Sequence, residues 1–204
     1  MHKPDVPLRP ILSCIGSFNH ECAKWLSESL SNFRKHVTNI TNTQEFISIL
    51  STHKSKDHIM VSFDVKSLFT NIPSTFTINL ILDSIFYNNR KDWNGLNRSR
   101  LKKLLEWCTK NTTFQFNNNY FSQLDGIAMG SPIGPLMGDI IMNHIVQRTL
   151  EITPNIHKPS LFCRYVDDCF ATFQNSSSID IFSTTSTAST NRYNLQKNWN
   201  LSTR

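Results

Sequence analysis

Hydrophobic and polar positions divide the chain into strands and helices in mixed order. Residues 58–65 (HIMVSFDV) are apolar and β-branched, which is typical of a buried strand. Apolar residues flank a short polar turn in TFQFNNNYFSQL (113–124) and LFCRYVDDCFATF (161–173), and each pattern predicts a β-hairpin. Helical apolar spacing marks five further segments, at 18–36, 43–52, 75–89, 100–111 and 136–151. This order of elements predicts an α+β fold.

Polar residues mark where the predicted helices begin and where the predicted fold ends. We expect Ser74 and Ser99 to cap the helices that come directly after them. After Asn175 the chain is rich in Ser, Thr and Asn and loses its apolar periodicity, so it can bury little surface. We therefore expect residues 175–204 to be a disordered tail that packs against nothing from about Asp180 onward.

Composition and charge narrow the class of protein without deciding its function. The 204 residues suffice for one large domain or two small ones, and 39% are hydrophobic. A net charge of +6 suits a polyanionic partner, although many proteins without such a partner are equally basic. The five cysteines include no C-x-x-C pair, which favours neither a disulfide framework nor a zinc site. The charged, proline-rich N-terminus is unlike a signal peptide, and no run of about 18 apolar residues occurs, so we expect an intracellular protein with no membrane segment.

Three aspartates near strand ends are the candidate chemistry. Asp167 and Asp168 lie between two apolar runs, and taken alone the pair is typical of a polar hairpin turn. Asp64 ends the strand 58–65, where it either caps the next turn or binds a hard cation. If the two strands are neighbours in one sheet, the three carboxylates supply what a two-metal phosphoryl-transfer site needs. The pattern permits such a site but does not establish it.

Four segments resemble the motifs of reverse transcriptases. FDVKSLFTNIP, GIAMGSPIGP and RYVDD, in that order, resemble the palm motifs, and the first two look most like Penelope-like retroelements. HKPDVPLRPILSCIGS resembles the fingers segment that precedes the palm. The resemblance runs from His2 to about Phe173. It implies a right-hand polymerase fold with part of the fingers (1–57), a palm with an antiparallel sheet (58–174) and no thumb.

The resemblance also implies roles for individual residues. Asp64, Asp167 and Asp168 match the catalytic carboxylates, which with the Val65 carbonyl would hold two Mg²⁺ ions, or Mn²⁺ in their place. Phe69 matches the residue that excludes a ribose 2′-OH, although a core aromatic is the alternative interpretation. The remaining matches are nucleotide-binding residues (Arg9, Lys3, Met129 and Gly130) and primer or template residues (Tyr165, Val166, Gly134 and Pro135). Lys3 is equally well explained as a solvated lysine, and Gly134 stands where many relatives have Ser.

The function implied by the resemblance is RNA-directed DNA synthesis. The partners would be an RNA or DNA template, a DNA primer and dNTPs, and the parent element would act in the nucleus. The family's lysine-bearing loop, primer grip, thumb and GIY-YIG endonuclease are not recognisable, and Met1 looks like an internal methionine, so we expect a fragment of a decayed element. Two alternatives remain, a catalytically inactive nucleic-acid-binding remnant and an unrelated two-metal phosphohydrolase.

The tail has a second interpretation, in which its reading frame is shifted. Codons can be chosen for Thr185 to Asn200 that, read from the third base of the first codon, give LNSIHQSIQFTKELE. That string has strand-like and helix-like apolar spacing, and it resembles the segment after the YVDD hairpin in Penelope-like elements. We expect an out-of-frame tail to leave the next strand position of the palm sheet empty and an apolar edge exposed.

Overall fold

The computed structural model describes residues 12–36, 38–53, 57–65, 67–110, 112–124, 126–191 and 199–203. The helices are α1 (His20–Ser29), α2 (Thr43–Thr52), α3 (Leu68–Asn71), α4 (Ser74–Ile85), α5 (Arg98–Thr109), α6 (Gly134–Ile152) and α7 (Ser176–Asn191). The strands are β1 (Ile59–Val65), β2 (Thr113–Phe116), β3 (Asn119–Ser122), β4 (Leu161–Tyr165), β5 (Asp168–Phe173) and β6 (Trp199–Thr203). Short 3₁₀ turns cover Ser31–Arg34, Tyr87–Asn89 and Asn155–His157. Both predicted hairpins are confirmed, as β2–β3 and β4–β5.

A four-stranded sheet forms the centre of the fold. Its strand order is β4-β5-β1-β6, and every neighbouring pair is antiparallel. Along the chain these strands alternate with two helices as β1, α6, β4, β5, α7, β6, which is the split βαβ arrangement of ferredoxin-like folds. Helices α3, α4 and α5 and the β2–β3 hairpin are inserted between β1 and α6.

Strand β1 has one buried and one exposed face. Val61, Phe63 and Val65 are buried, whereas Ser62 and Asp64 are exposed, as the two-residue period of a strand requires. The buried face packs on the aromatic core, and its Phe63 ring lies 6.4 Å from the ring of Phe173. The strand that the sequence predicted to be buried therefore carries Asp64 on the face that is not filled by the core.

The predicted serine caps are wrong at both helices. Helix α5 begins two residues earlier than predicted, because the side chain of Asn97 accepts a hydrogen bond of 2.9 Å from the backbone N–H of Arg100 and Ser99 lies inside the helix. Ser74 is the first residue of α4, and its hydroxyl donates to the carbonyl of Gly126 at 3.2 Å instead of capping. Ser74 thus ties α4 to the loop that precedes α6.

The prediction of a disordered tail is wrong for residues 176–191, which form α7. Ile179 and Phe182 are buried in the core. Serines occupy the next inward positions, and the hydroxyls of Ser186 and Ser189 donate to carbonyls four residues earlier, at 2.8 and 3.0 Å. A buried hydroxyl that is satisfied by its own helix costs little, so a Ser/Thr-rich segment packs here without an apolar pattern.

The predicted empty strand position is also wrong, because β6 occupies it. Its backbone pairs with β1 in an antiparallel register from Val61↔Thr203 to Val65↔Trp199. Residues 192–198 lie outside the described residues. The shifted reading frame stays a prediction that the encoding DNA tests.

Among the helices described, none combines the length and the apolar character that a membrane crossing requires.

Candidate active site

Asp64 and Asp168 lie directly opposite each other on neighbouring strands. They are register partners at the end of the β1–β5 ladder, and both are exposed. Directly opposite residues of an antiparallel pair have Cβ atoms about 5 Å apart and point to the same face. The sheet therefore brings Asp64 beside the RYVDD hairpin across about one hundred residues of sequence, while Asp167 lies in the adjoining turn.

The turn that joins β4 to β5 consists of Val166 and Asp167, one residue earlier than the Asp167–Asp168 turn predicted from the sequence. Val166 adopts a left-handed backbone with φ of 56°, which two-residue hairpin turns favour but β-branched residues avoid. This register makes Asp168 the first residue of β5. Because it belongs to the strand, its side chain faces the side of the sheet that carries Asp64.

The same face of the sheet is partly covered by α2. The Phe46 ring packs edge-on against Phe170 at 5.2 Å, and an imidazole nitrogen of His53 lies 3.1 Å from the hydroxyl of Thr172. Both strand residues lie further along β5 than Asp168, so the cover stops short of the paired aspartates. A cavity of about 290 Å³ opens beside them and is lined in part by Ser62, Tyr165, Asp168 and Phe170.

Negative charge is concentrated at this edge of the sheet. Partial burial raises the pKa of the Asp168 carboxyl, and the neighbouring carboxylates of Asp167 and Asp64 raise it further. The cause is the cost of a charge held partly out of water beside two others. A cation at this position would relieve that repulsion.

Replacing Asp168 with Asn is expected to raise the melting temperature at pH 7. The folded-state pKa lies above the unfolded-state value, so the folded protein binds the proton more tightly. Above its folded-state pKa, ionised Asp168 therefore lowers the free energy of unfolding. This destabilisation vanishes as the pH falls below the unfolded-state pKa. Calorimetry should show that the gain shrinks from pH 7 towards pH 4, whereas Asp92→Asn, in an exposed loop, should have little effect. A melting temperature that Asp168→Asn leaves unchanged at pH 7 would contradict this account.

Phe69 lies between the β1 end and the start of α6. The backbone N–H of Ile127 donates to the Phe69 carbonyl at 2.7 Å, and the ring lies where it would meet a Cβ placed on Gly134 or Gly138, at 3.7 and 3.6 Å. The side chain is half-buried and packs on the core. Both interpretations of Phe69 fit this position, and its role in sugar selection stays a prediction.

Glycine is required at position 130 because the backbone of Leu12 passes close to it. Gly130 has φ of +106°, and a Cβ there would lie 2.2 Å from the Leu12 carbonyl oxygen. Met129 accepts a hydrogen bond of 3.0 Å from the Leu12 N–H, so the start of the described chain rests on this loop. Gly134 and Pro135 begin α6, where proline is favoured because the first helical N–H groups lack partners. Arg9 and Lys3, the predicted triphosphate-binding residues, lie outside the described residues.

The donor set suits a hard cation. Asp64, Asp167 and Asp168 offer carboxylate oxygens and Val65 offers a carbonyl, the ligands that Mg²⁺ prefers. In the described part of the chain, however, no three His, Cys, Asp or Glu side chains already form a group close enough to hold a metal ion. The strand register aligns the backbones of Asp64 and Asp168, and metal binding would require their side chains to converge.

Comparison with known families decides the class of the chain. The family model described as reverse transcriptase (RNA-dependent DNA polymerase) matches residues 1–201. The chain belongs to the reverse transcriptase family. The family-level resemblance seen in the sequence is therefore confirmed, whereas the Penelope-like subtype is not tested. The comparison with curated proteins returns no match.

Solved polymerases share the fold of this reverse transcriptase chain. An apo telomerase from Candida tropicalis, truncated from its C-terminal domain, is similar with a TM-score of 0.60 at 14% identity over 84% of this chain and 37% of that one. A telomerase from Candida albicans in complex with a fragment of telomeric RNA gives 0.55 at 12% identity over 83% and 32%. The BmCPV RNA-dependent RNA polymerase in its quiescent state gives 0.58 at 11% identity over 97% and 20%. The predicted α+β polymerase fold is confirmed, and the chain spans 20 to 37% of the length of these proteins.

Arg164 was not among the predicted site residues. It is buried in β4 and contacts both the Val166–Asp167 turn and α6. The sequence contains one signal for it, an arginine within the otherwise apolar run LFCRYV. Arginine is almost never fully buried unless it is paired, so such a position calls for a partner.

Proposed function

We propose that this chain carries the nucleotidyl-transfer site of an RNA-directed DNA polymerase from a Penelope-like retroelement. It would add a dNTP to the 3′-OH of a DNA primer paired with an RNA or DNA template. The observation that carries the proposal is the pairing of Asp64 with Asp168 beside the Val166–Asp167 turn, within a chain of the reverse transcriptase family. The telomerase neighbour bound to telomeric RNA supports a nucleic-acid partner by analogy.

The three aspartates and the Val65 carbonyl would hold two Mg²⁺ ions, or Mn²⁺ in their place. When bound, such ions activate the attacking 3′-oxygen and neutralise charge on the triphosphate. The carboxylates of Asp64 and Asp168 supply the negative charge that attracts the ions, and β1 and β5 fix their spacing. The turn at Val166, with its φ of 56°, places Asp167 directly before Asp168 at the start of β5.

The exposed surface around the aspartates is assigned to the primer and the nucleotide. Tyr165 and Val166 are both exposed at the turn and would contact the primer end, and Tyr165 also lines the cavity beside Asp168. Phe69 and the loop with Met129 and Gly130 would contact the incoming nucleotide, together with Arg9 and Lys3. Gly134 and Pro135, at the start of α6, would contact the template or the primer. The thumb and any GIY-YIG endonuclease would belong to the full element, which would act inside the cell, in the nucleus.

Single-nucleotide addition tests the proposal. The folded 204-residue chain, in molar excess over a labelled DNA primer on an RNA template, is incubated with the next dNTP and Mn²⁺ or Mg²⁺. We expect slow, EDTA-sensitive addition of the templated nucleotide, since the chain spans only 20 to 37% of the polymerases that share its fold and offers the duplex less surface. Binding of the primer–template by a folded chain that never extends it would instead favour the inactive remnant. Release of phosphate from substrates unrelated to nucleic acid would favour a phosphohydrolase.

Replacing Phe69 with Val is expected to admit ribonucleotides, because a smaller side chain removes the clash with the 2′-OH. The dNTP-to-rNTP ratio of kcat/KM should fall by roughly 10-fold or more, the range that pocket shape provides. Single-nucleotide addition with each nucleotide measures the ratio. Phe86→Val, which shortens another partly buried phenylalanine, is the matched control. An active Phe69→Val variant with unchanged selectivity would assign Phe69 to the core alone.

A further inference from the structure

We propose that Arg164 is a positioning residue that holds the Val166–Asp167 turn, and with it the aspartate carboxylates, in the orientation that binds metal. The inference rests on the proposed function, because it concerns metal binding by those carboxylates. It assigns a role to a residue of β4 that itself faces the core and does not touch the substrate side of the sheet.

The guanidinium of Arg164 is buried on the inner side of the sheet. The residue is 1% exposed and pairs in register with Cys169, which is also buried. A buried cation is costly unless it is paired and hydrogen-bonded. Helix α6 supplies the partners, since Asp139 and Asn143 lie one turn apart on it and both contact the guanidinium.

The guanidinium bridges the turn and the helix. Its Nη1 donates to the Val166 carbonyl at 2.6 Å and lies 3.3 Å from Asp139 Oδ1, while Nη2 donates to Asn143 Oδ1. Arginine presents several N–H groups in a rigid plane, so one side chain fixes all three acceptors at once. The bond to the Val166 carbonyl acts on the residue that holds the disfavoured left-handed backbone.

A second layer of contacts fixes the partners of Arg164. Arg34 Nε donates to Asp139 Oδ2 at 2.7 Å, and the Asn143 amide donates to the Arg34 carbonyl at 3.2 Å. The backbone of Arg164 pairs with the segment around Thr38 and Ile40, at 2.8 and 2.9 Å. The chain that precedes the palm is thereby joined to the Val166–Asp167 turn through one buried residue, by its backbone as well as its side chain.

Packing alone does not support the turn on this side. A cavity of about 660 Å³ lies beside it, lined by Arg34, His36, Asp139, Arg164, Tyr165 and Val166 among others. The turn residues border open space there, so the hydrogen bond from Arg164 to the Val166 carbonyl is a main restraint on the turn. Lysine has a single terminal nitrogen and cannot reach the turn, Asp139 and Asn143 with the same geometry.

The test measures Mn²⁺ binding to the 204-residue chain by the electron paramagnetic resonance signal of free Mn²⁺. Arg164→Lys should weaken Mn²⁺ binding by about 10-fold or more, as removal of the groups that orient metal ligands does. The Mn²⁺ concentration for half-maximal nucleotide addition should rise in parallel, while the KM for dNTP at saturating Mn²⁺ stays unchanged. Arg98→Lys, at an exposed pair with Asp83, is the matched control and should bind Mn²⁺ as the wild type does.

Urea unfolding separates positioning from stability. A folded Arg164→Lys variant with wild-type Mn²⁺ affinity would overturn the inference and leave the proposed function intact. If Arg164→Lys does not fold, Asn143→Ala removes one anchor of the guanidinium, and unchanged Mn²⁺ affinity in that variant overturns the inference equally. A wild-type chain that binds no Mn²⁺ would overturn the proposed function first, and the inference with it.

Discussion

Replacing Asp167 with Asn is expected to reduce the rate of nucleotide addition by about a thousand-fold or more, which corresponds to about 4 kcal/mol of lost transition-state stabilisation. Asn has nearly the same shape but no charge, so it keeps the Val166–Asp167 turn and replaces an anionic metal ligand with a weaker, neutral one. Asp64→Asn should have an effect of the same order, because Asp64 lies opposite Asp168 on the adjoining strand. Single-turnover addition with Mn²⁺ measures both.

The control for these variants is Asp83→Asn, which removes a carboxylate from the exposed pair with Arg98. It should leave the rate unchanged. Fluorescence anisotropy should show that Asp64→Asn and Asp167→Asn still bind primer–template, since the nucleic acid contacts a wider surface than the aspartates. An Asp167→Asn variant that extends primers at the wild-type rate would remove the aspartates from the mechanism.

The position of Asp64 was predictable, and its partner in the sheet was predictable only from the resemblance. Alternation in β1 places Val61, Phe63 and Val65 inward, which leaves Asp64 on the other face. Local sequence did not give the register of the β4–β5 hairpin. Turn preferences favour aspartate over a β-branched residue, whereas the structure uses Val166, whose carbonyl is bound by Arg164. A long-range hydrogen bond of this kind is invisible in local propensity.

The predicted helix starts were wrong for a different reason, because the sequence offers more than one residue that could cap the helix. Asn97 and Ser99 are both good N-cap residues, two positions apart, and Asn97 caps because its backbone is extended and its side chain reaches the N–H of Arg100. Propensity alone does not choose between them. Near Ser74, the nearby carbonyl of Gly126 takes the hydroxyl that would otherwise cap the helix. That carbonyl is 52 residues away in sequence, so only the folded chain brings it there.

The C-terminal segment was misjudged because composition does not show which polar groups are satisfied. Among the described side chains of α7, only Ile179 and Phe182 supply large apolar surface to the core. An amphipathic helix of this length would usually bury more apolar side chains than these two. The inward serines of the same helix bind its own carbonyls and tolerate burial. A few well-placed contacts therefore hold a segment whose average composition is typical of disorder.

Phe182 is the contact on which α7 depends most, and its replacement with Ala should lower the free energy of unfolding by about 3–5 kcal/mol. The side chain is 1% exposed, and its ring lies 5.4 Å from Phe173, 5.8 Å from Phe63 and 5.9 Å from Phe162. Truncation would leave a cavity among three aromatic rings that are fixed by strands of the sheet and cannot collapse freely. Against a total stability of about 5–15 kcal/mol, the loss would be large.

Urea unfolding followed by circular dichroism measures the free energy of unfolding. The matched control is Thr184→Ala, on the exposed side of α7, which should change that free energy by less than about 0.5 kcal/mol. Unchanged stability of Phe182→Ala would mean that α7 does not pack in solution, and would restore the prediction of a disordered tail. The expected loss of stability would instead show that α7 packs on the buried face of the sheet and stabilises it. Because Phe63 touches Phe182 and precedes Asp64 in β1, the same variant should also weaken Mn²⁺ binding wherever it remains folded.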